Sequence, residues 1–87
     1  MLRMRLYVAG NGPNSAKARI NLAKLCKTEF ADTYELEVVD LLEFPLRAIE
    51  DGVIVTPTLL RLAPLPMQRV IGNLSDARTV LVMLRGS

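Results

Sequence analysis

The sequence predicts a single α/β domain of element order βαβαββα. Three observations carry this reading. Residues 2–9 alternate Leu2, Met4, Leu6, Val8 with Arg3, Arg5, Tyr7, Ala9, the period of a half-buried strand. A helix-length segment then separates that strand from a second β-rich run, Tyr34-Glu35-Leu36-Glu37-Val38-Val39-Asp40, so the two strands should be parallel in a right-handed βαβ unit. The last dozen residues repeat Ala77, Val80, Leu81 and Leu84 at helical spacing. At 87 residues, the chain has room for one core.

The elements follow in order. Gly10-Asn11-Gly12-Pro13 ends the first strand. Asn14 or Ser15 is the expected cap of a helix over 15–29, whose apolar face takes Ala18, Ile20, Leu22, Leu25 and Cys26. Asp32-Thr33 turns the chain into the second strand. Glu43-Phe44-Pro45 reads as a helix start, with Leu46, Ala48 and Ile49 facing inward and Gly52 as the C-terminal cap. Residues 53–60 are β-rich but hold Pro57, which an ordinary central strand does not accept. Ala63-Pro64-Leu65-Pro66 turns into a short strand over 67–71. Ser75 is the expected N-cap of the last helix, and Arg85-Gly86 suits its end. Thr79-Val80-Leu81-Val82 has strand propensity, but the start signal, the terminal cation and the lack of interior Gly or Pro favour helix.

Composition excludes several function classes. No run of about 18 apolar residues is present to span a membrane, and residues 1–9 do not resemble a secretory signal. With no histidine and one cysteine, an internal disulfide, most zinc sites and His-based catalysis are unavailable, and a reducing cytoplasm is expected. Charge is segregated: residues 1–28, 29–51 and 52–87 carry +6, −7 and +3. Only four aromatics are present and acids fill the middle of the chain, unlike a nucleic-acid binder; distinct acidic and basic surfaces suit protein partners.

The order βαβαββα, with an apolar strand entering Thr56-Pro57-Thr58-Leu59, resembles the thioredoxin fold. That resemblance implies a four-stranded mixed sheet of order 2-1-3-4 with helices on both faces, and makes Thr56–Pro57 a candidate cis bond. A redox thioredoxin needs Cys-x-x-Cys where the first strand meets the first helix. This chain has Gly12-Pro13-Asn14-Ser15 there, and Cys26 lies three turns along the helix on its apolar side. Dithiol exchange is therefore excluded. A protein that has lost its thiols but still binds glutathione or a peptide, with Ser15 holding a carboxylate, is the alternative reading.

Four blocks, Leu6 to Ser15, Val38 to Leu41, Val55 to Leu59 and Arg69 to Ser75, resemble the KaiB family of circadian-clock proteins. The resemblance implies a non-enzymatic, cofactor-free module that docks on the N-terminal ring of a KaiC-type ATPase and regulates its phosphorylation state. The KaiC-facing positions it implies are Lys17, Arg61, Gln68 and Arg69, with Arg61 and Arg69 on the two strands of one hairpin. Further partners it brings into view are a KaiA-like protein and an output histidine kinase. The family's KaiA contact uses the second strand, where Glu35 and Glu37 replace small or basic side chains; like charges on a pairing edge put that contact in doubt. The acidic tail of many cyanobacterial members is not expected here.

The family also implies two forms. One is a tetrameric ground state of order βαββααβ; the other is the thioredoxin-like monomer that binds KaiC. Relatives carry glycine and an acid near the end of the last helix, where this chain has Met83 and Arg85. Glycine costs about 0.8–1 kcal/mol in a helix and an acid opposes its dipole, so Met83 and Arg85 bias this chain toward the monomer.

Overall fold

A computed structural model describes residues 1–31 and 33–86. The elements are β1 (Leu2–Val8), α1 (Pro13–Glu29), β2 (Tyr34–Asp40), α2 (Pro45–Glu50), β3 (Thr58–Ala63), β4 (Gln68–Ile71) and α3 (Ala77–Arg85). They form one sheet of order β2-β1-β3-β4, in which β1 and β2 are parallel and the other pairs antiparallel. This is the thioredoxin-like arrangement. The C-terminal segment is a helix, not the closing strand of the alternative fold.

The alternation of β1 divides the core into two layers. Leu2, Met4, Leu6 and Val8 face α1 and α3, meeting Ala18, Leu22, Cys26, Leu59, Val80 and Leu84. Tyr7 points to the other side, with Val39, Ala48, Val53 and Leu60 under α2. The last helix is held at both ends. Its N-terminus is capped by Asp76, not Ser75: the Asp76 carboxylate accepts from the Thr79 backbone N–H at 3.2 Å and from its hydroxyl at 2.8 Å. Ser75 instead donates its backbone N–H to Asn73 Oδ1. At the other end Gly86, at φ +72°, returns its N–H to the Val82 and Met83 carbonyls. Arg85 reaches Glu29 of α1 at 2.9 Å, so it ties two helices together besides facing the helix dipole.

Several local expectations are corrected. Helix α1 starts two residues earlier than the polar residues suggested, with Pro13 at its first turn and Gly12 as an N-cap that makes no side-chain bond. Ile20 and Ala77 are exposed. Strand β3 begins only after Pro57, because a residue without an N–H cannot join the ladder. The Thr56–Pro57 bond is cis, as the resemblance implied, and Ala63–Pro64 and Leu65–Pro66 are cis as well. The largest departure is α2: Ala48 is its buried residue, whereas Leu46 and Ile49 are 70% and 71% exposed. The expected turn at Asp32-Thr33 includes Asp32, which lies outside the described residues.

Candidate functional site

The first helix begins where thiol chemistry would sit in a redox relative, and its serine is already committed. Ser15 is buried and its Oγ accepts the Ala9 backbone N–H at 3.2 Å, fastening the β1–α1 loop to the helix. Cys26 is fully buried about three turns further along the helix; burial pushes its thiol up to about 11. No thiolate is available at neutral pH, and Cys26 packs as a small apolar side chain.

The predicted docking residues do not converge on one point. Lys17 is exposed on α1. Gln68 and Arg69 are exposed neighbours on the edge strand β4, so they project from opposite faces of the sheet. Arg69 leans over the α2 layer and donates to the carbonyls of Gly52 at 2.9 Å and Asp51 at 3.1 Å. Arg61 is the clear correction. It is 2% exposed, on the α3 side of β3, and donates Nη1 to the Met83 carbonyl at 2.8 Å and Nη2 to the Pro66 carbonyl at 2.7 Å. Its Nε finds no partner among the described residues. Arg61 is thus a cation at the C-terminal end of α3, tying that helix to the β3–β4 turn, and cannot touch a partner from this position. Met83, placed near the helix end, contributes its carbonyl to this contact.

The acids of β2 are also placed differently from expectation. Parallel register puts Arg3 beside Glu35 and Arg5 beside Glu37, and each pair closes, at 3.1 and 2.8 Å. Arg47 of α2 adds two bonds to Glu37, at 2.9 and 2.6 Å. The edge is therefore not a bare row of negative charge. Arg47, then Arg5, hold the Glu37 carboxyl down at about 2.

Behind it, Arg5 also binds Asp51 at 2.7 Å. The buried Tyr7 donates its hydroxyl toward Asp51 at 2.6 Å and the Arg47 carbonyl at 2.9 Å. Burial, reinforced by Asp51, pushes the Tyr7 hydroxyl up to about 12. Burial alone would raise the Asp51 carboxyl, but Tyr7 and Arg5 outweigh it and the net shift is downward. This network was missed in the sequence, although Arg3/Arg5 and Glu35/Glu37 share the same alternation on strands expected to be parallel.

Tyr7→Phe is expected to cost about 1–2 kcal/mol at pH 7, read as a lower urea midpoint. The donor is the neutral hydroxyl, and its pKa is raised on folding. Its stabilisation is therefore full below about 10, the unfolded value, and is lost as pH rises through about 12. The variant should lack that alkaline loss.

A family model described as the KaiB domain matches residues 5–86, nearly all of the chain. The chain belongs to the KaiB family. It is 47% identical over 81 residues to the circadian clock oscillator protein KaiB of Synechococcus elongatus, covering 93% of this chain and 79% of that one. To the circadian clock protein KaiB3 of a Synechocystis species it is 42% identical, with the same coverage of each. Among solved structures it is similar to the N-terminal domain of SasA from Synechococcus elongatus (TM-score 0.79, 22% identity, 99% and 85% covered). It is also similar to mitochondrial thioredoxin 3 from Saccharomyces cerevisiae (TM-score 0.80, 16% identity, 99% and 78% covered). At those identities the two structures speak to fold: this KaiB-family chain has the thioredoxin-like architecture.

Proposed function

We propose that this KaiB-family protein is a non-catalytic binding module that docks, as a thioredoxin-like monomer, on the N-terminal ring of a KaiC-type ATPase and regulates its phosphorylation state. The observation that carries the reading is the KaiB-domain match over residues 5–86, in a fold whose thiol position holds the committed Ser15. Lys17, Gln68 and Arg69 are the proposed partner contacts; Arg61 supports the hairpin from behind. A KaiA-like protein or an output histidine kinase is a second possible partner class, and pairing of Glu35 and Glu37 with arginines relieves the charge conflict on β2. The buried thiol of Cys26 suits a cytoplasmic setting.

The test is binding to the KaiC homologue of the same genome, loaded with ATP or with ADP. Saturable binding in at least one nucleotide state is expected. Lys17→Glu combined with Arg69→Glu should weaken it at least tenfold, mostly at low salt. No binding in either state would refute the proposal. Saturable glutathione binding, with amide shifts around Ser15 and Pro57, would favour the alternative instead.

A further inference from the structure

Helix α2 is inside out. An ordinary surface helix turns its large apolar side chains toward the core. Here Ala48 alone of the helix is buried, and Leu46 and Ile49 point away at 70% and 71% exposure. Polar contacts hold the helix down in their place: Tyr7 to the Arg47 carbonyl, Arg47 to Glu37, and Arg69 to the carbonyls just past its end. The neighbouring loops add to the same region. Strands β1 and β2 end together at Val8 and Asp40, and β3 starts beside Tyr7, so the segments around α2 cross one end of the sheet. There Leu42, Phe44, Ile54 and Val55 are 69%, 50%, 92% and 46% exposed. With Leu46 and Ile49 they make six large apolar residues turned to solvent within residues 42–55. Such a break between local pattern and burial is expected where a surface is functional.

Charge around this face selects its occupant. Arg47, the single cation between residues 41 and 57, is bound to Glu37 through both terminal nitrogens, and Arg69, which reaches this side from β4, donates to the Gly52 and Asp51 carbonyls. Asp51 is taken by Arg5 and Tyr7. Glu43 and Glu50 are exposed and make no ion pair among the described residues. A second copy would set these acids against their own kind across a two-fold axis. We propose that the α2 face is a docking surface for an apolar protein segment flanked by lysine or arginine, with Glu43 and Glu50 as its charged contacts. It lies on the opposite side of the sheet from α1 and Lys17; of the proposed KaiC-type contacts Arg69 alone reaches this side, and Glu43 and Glu50 are not shared with that reading.

The test is NMR titration of the full chain with two synthetic amphipathic helices of 14 residues. Both carry leucine on one face; one has lysine flanks and the other glutamate flanks. The lysine peptide should bind saturably, with amide shifts centred on residues 42–55, and at least tenfold more tightly than the glutamate peptide. Glu43→Gln with Glu50→Gln should erase that preference, and Leu46→Ser with Ile49→Ser should weaken binding at least tenfold. All four positions are exposed, so the variants keep the fold, which unchanged circular dichroism verifies. Equal affinity for the two peptides, or shifts centred on another face, would overturn the proposal. So would a dimer by sedimentation that the Leu46→Ser, Ile49→Ser variant abolishes, because a second copy would then be the occupant.

Discussion

Arg61→Ala is expected to lower unfolding free energy by about 3 kcal/mol, with the first loss of protection at the end of α3. The guanidinium supplies donors to the Met83 and Pro66 carbonyls, and its replacement leaves both without them. A buried polar group deprived of its partner costs about 1–3 kcal/mol. The removed side chain also leaves a void against α3. Part of this is offset because a cation no longer has to be desolvated. For a domain of this size, with a total stability of about 4–13 kcal/mol, the loss is large. Urea unfolding at unchanged m-value gives the magnitude, and amide exchange locates it. Arg61→Lys keeps one charged donor and should recover part of the loss. If Arg61 were a docking cation instead, its removal would leave stability untouched.

Leu84→Ala is expected to cost about 3–4 kcal/mol. Leu84 is 2% exposed and, with Val80, is the buried anchor of α3 against the β1 layer. Truncating a buried leucine removes its transfer free energy and leaves a cavity that neighbours fill only in part, for a typical total of about 2–5 kcal/mol. The neighbouring Val82 is half exposed, so Val82→Ala should cost less than about 1 kcal/mol. A thermal or urea series on the two variants tests the helical phase directly. A strand over these residues would place residues 82 and 84 on one face and give the pair similar costs.

The elements that were legible in the sequence are those governed by a single local period. The alternation of β1 divides the core as read, with Leu2, Met4, Leu6 and Val8 on one side and Tyr7 on the other. The spacing of Val80 and Leu84, and Gly86 as a left-handed cap, placed α3 correctly. What failed needed tertiary information. The burial of Arg61 depends on α3 returning across the sheet to present a carbonyl, which no window around residue 61 contains. The outward turn of Leu46 and Ile49 depends on Tyr7 and Arg5 reaching across from β1 to hold α2 by polar bonds. Ser75 and Asp76 are both good caps, and the choice between them rested on one residue of phase. For the docking positions, chain proximity was misleading: neighbours on a strand face opposite ways, so Gln68 and Arg69 form no single patch.

The account rests on the isolated chain keeping its last segment as a helix on the sheet, the thioredoxin-like form proposed above to bind a partner. Backbone NMR chemical shifts over residues 77–85 test this most directly. Helical shifts, with Cα resonances downfield across the whole segment, are the predicted result. Strand-type shifts there would contradict it.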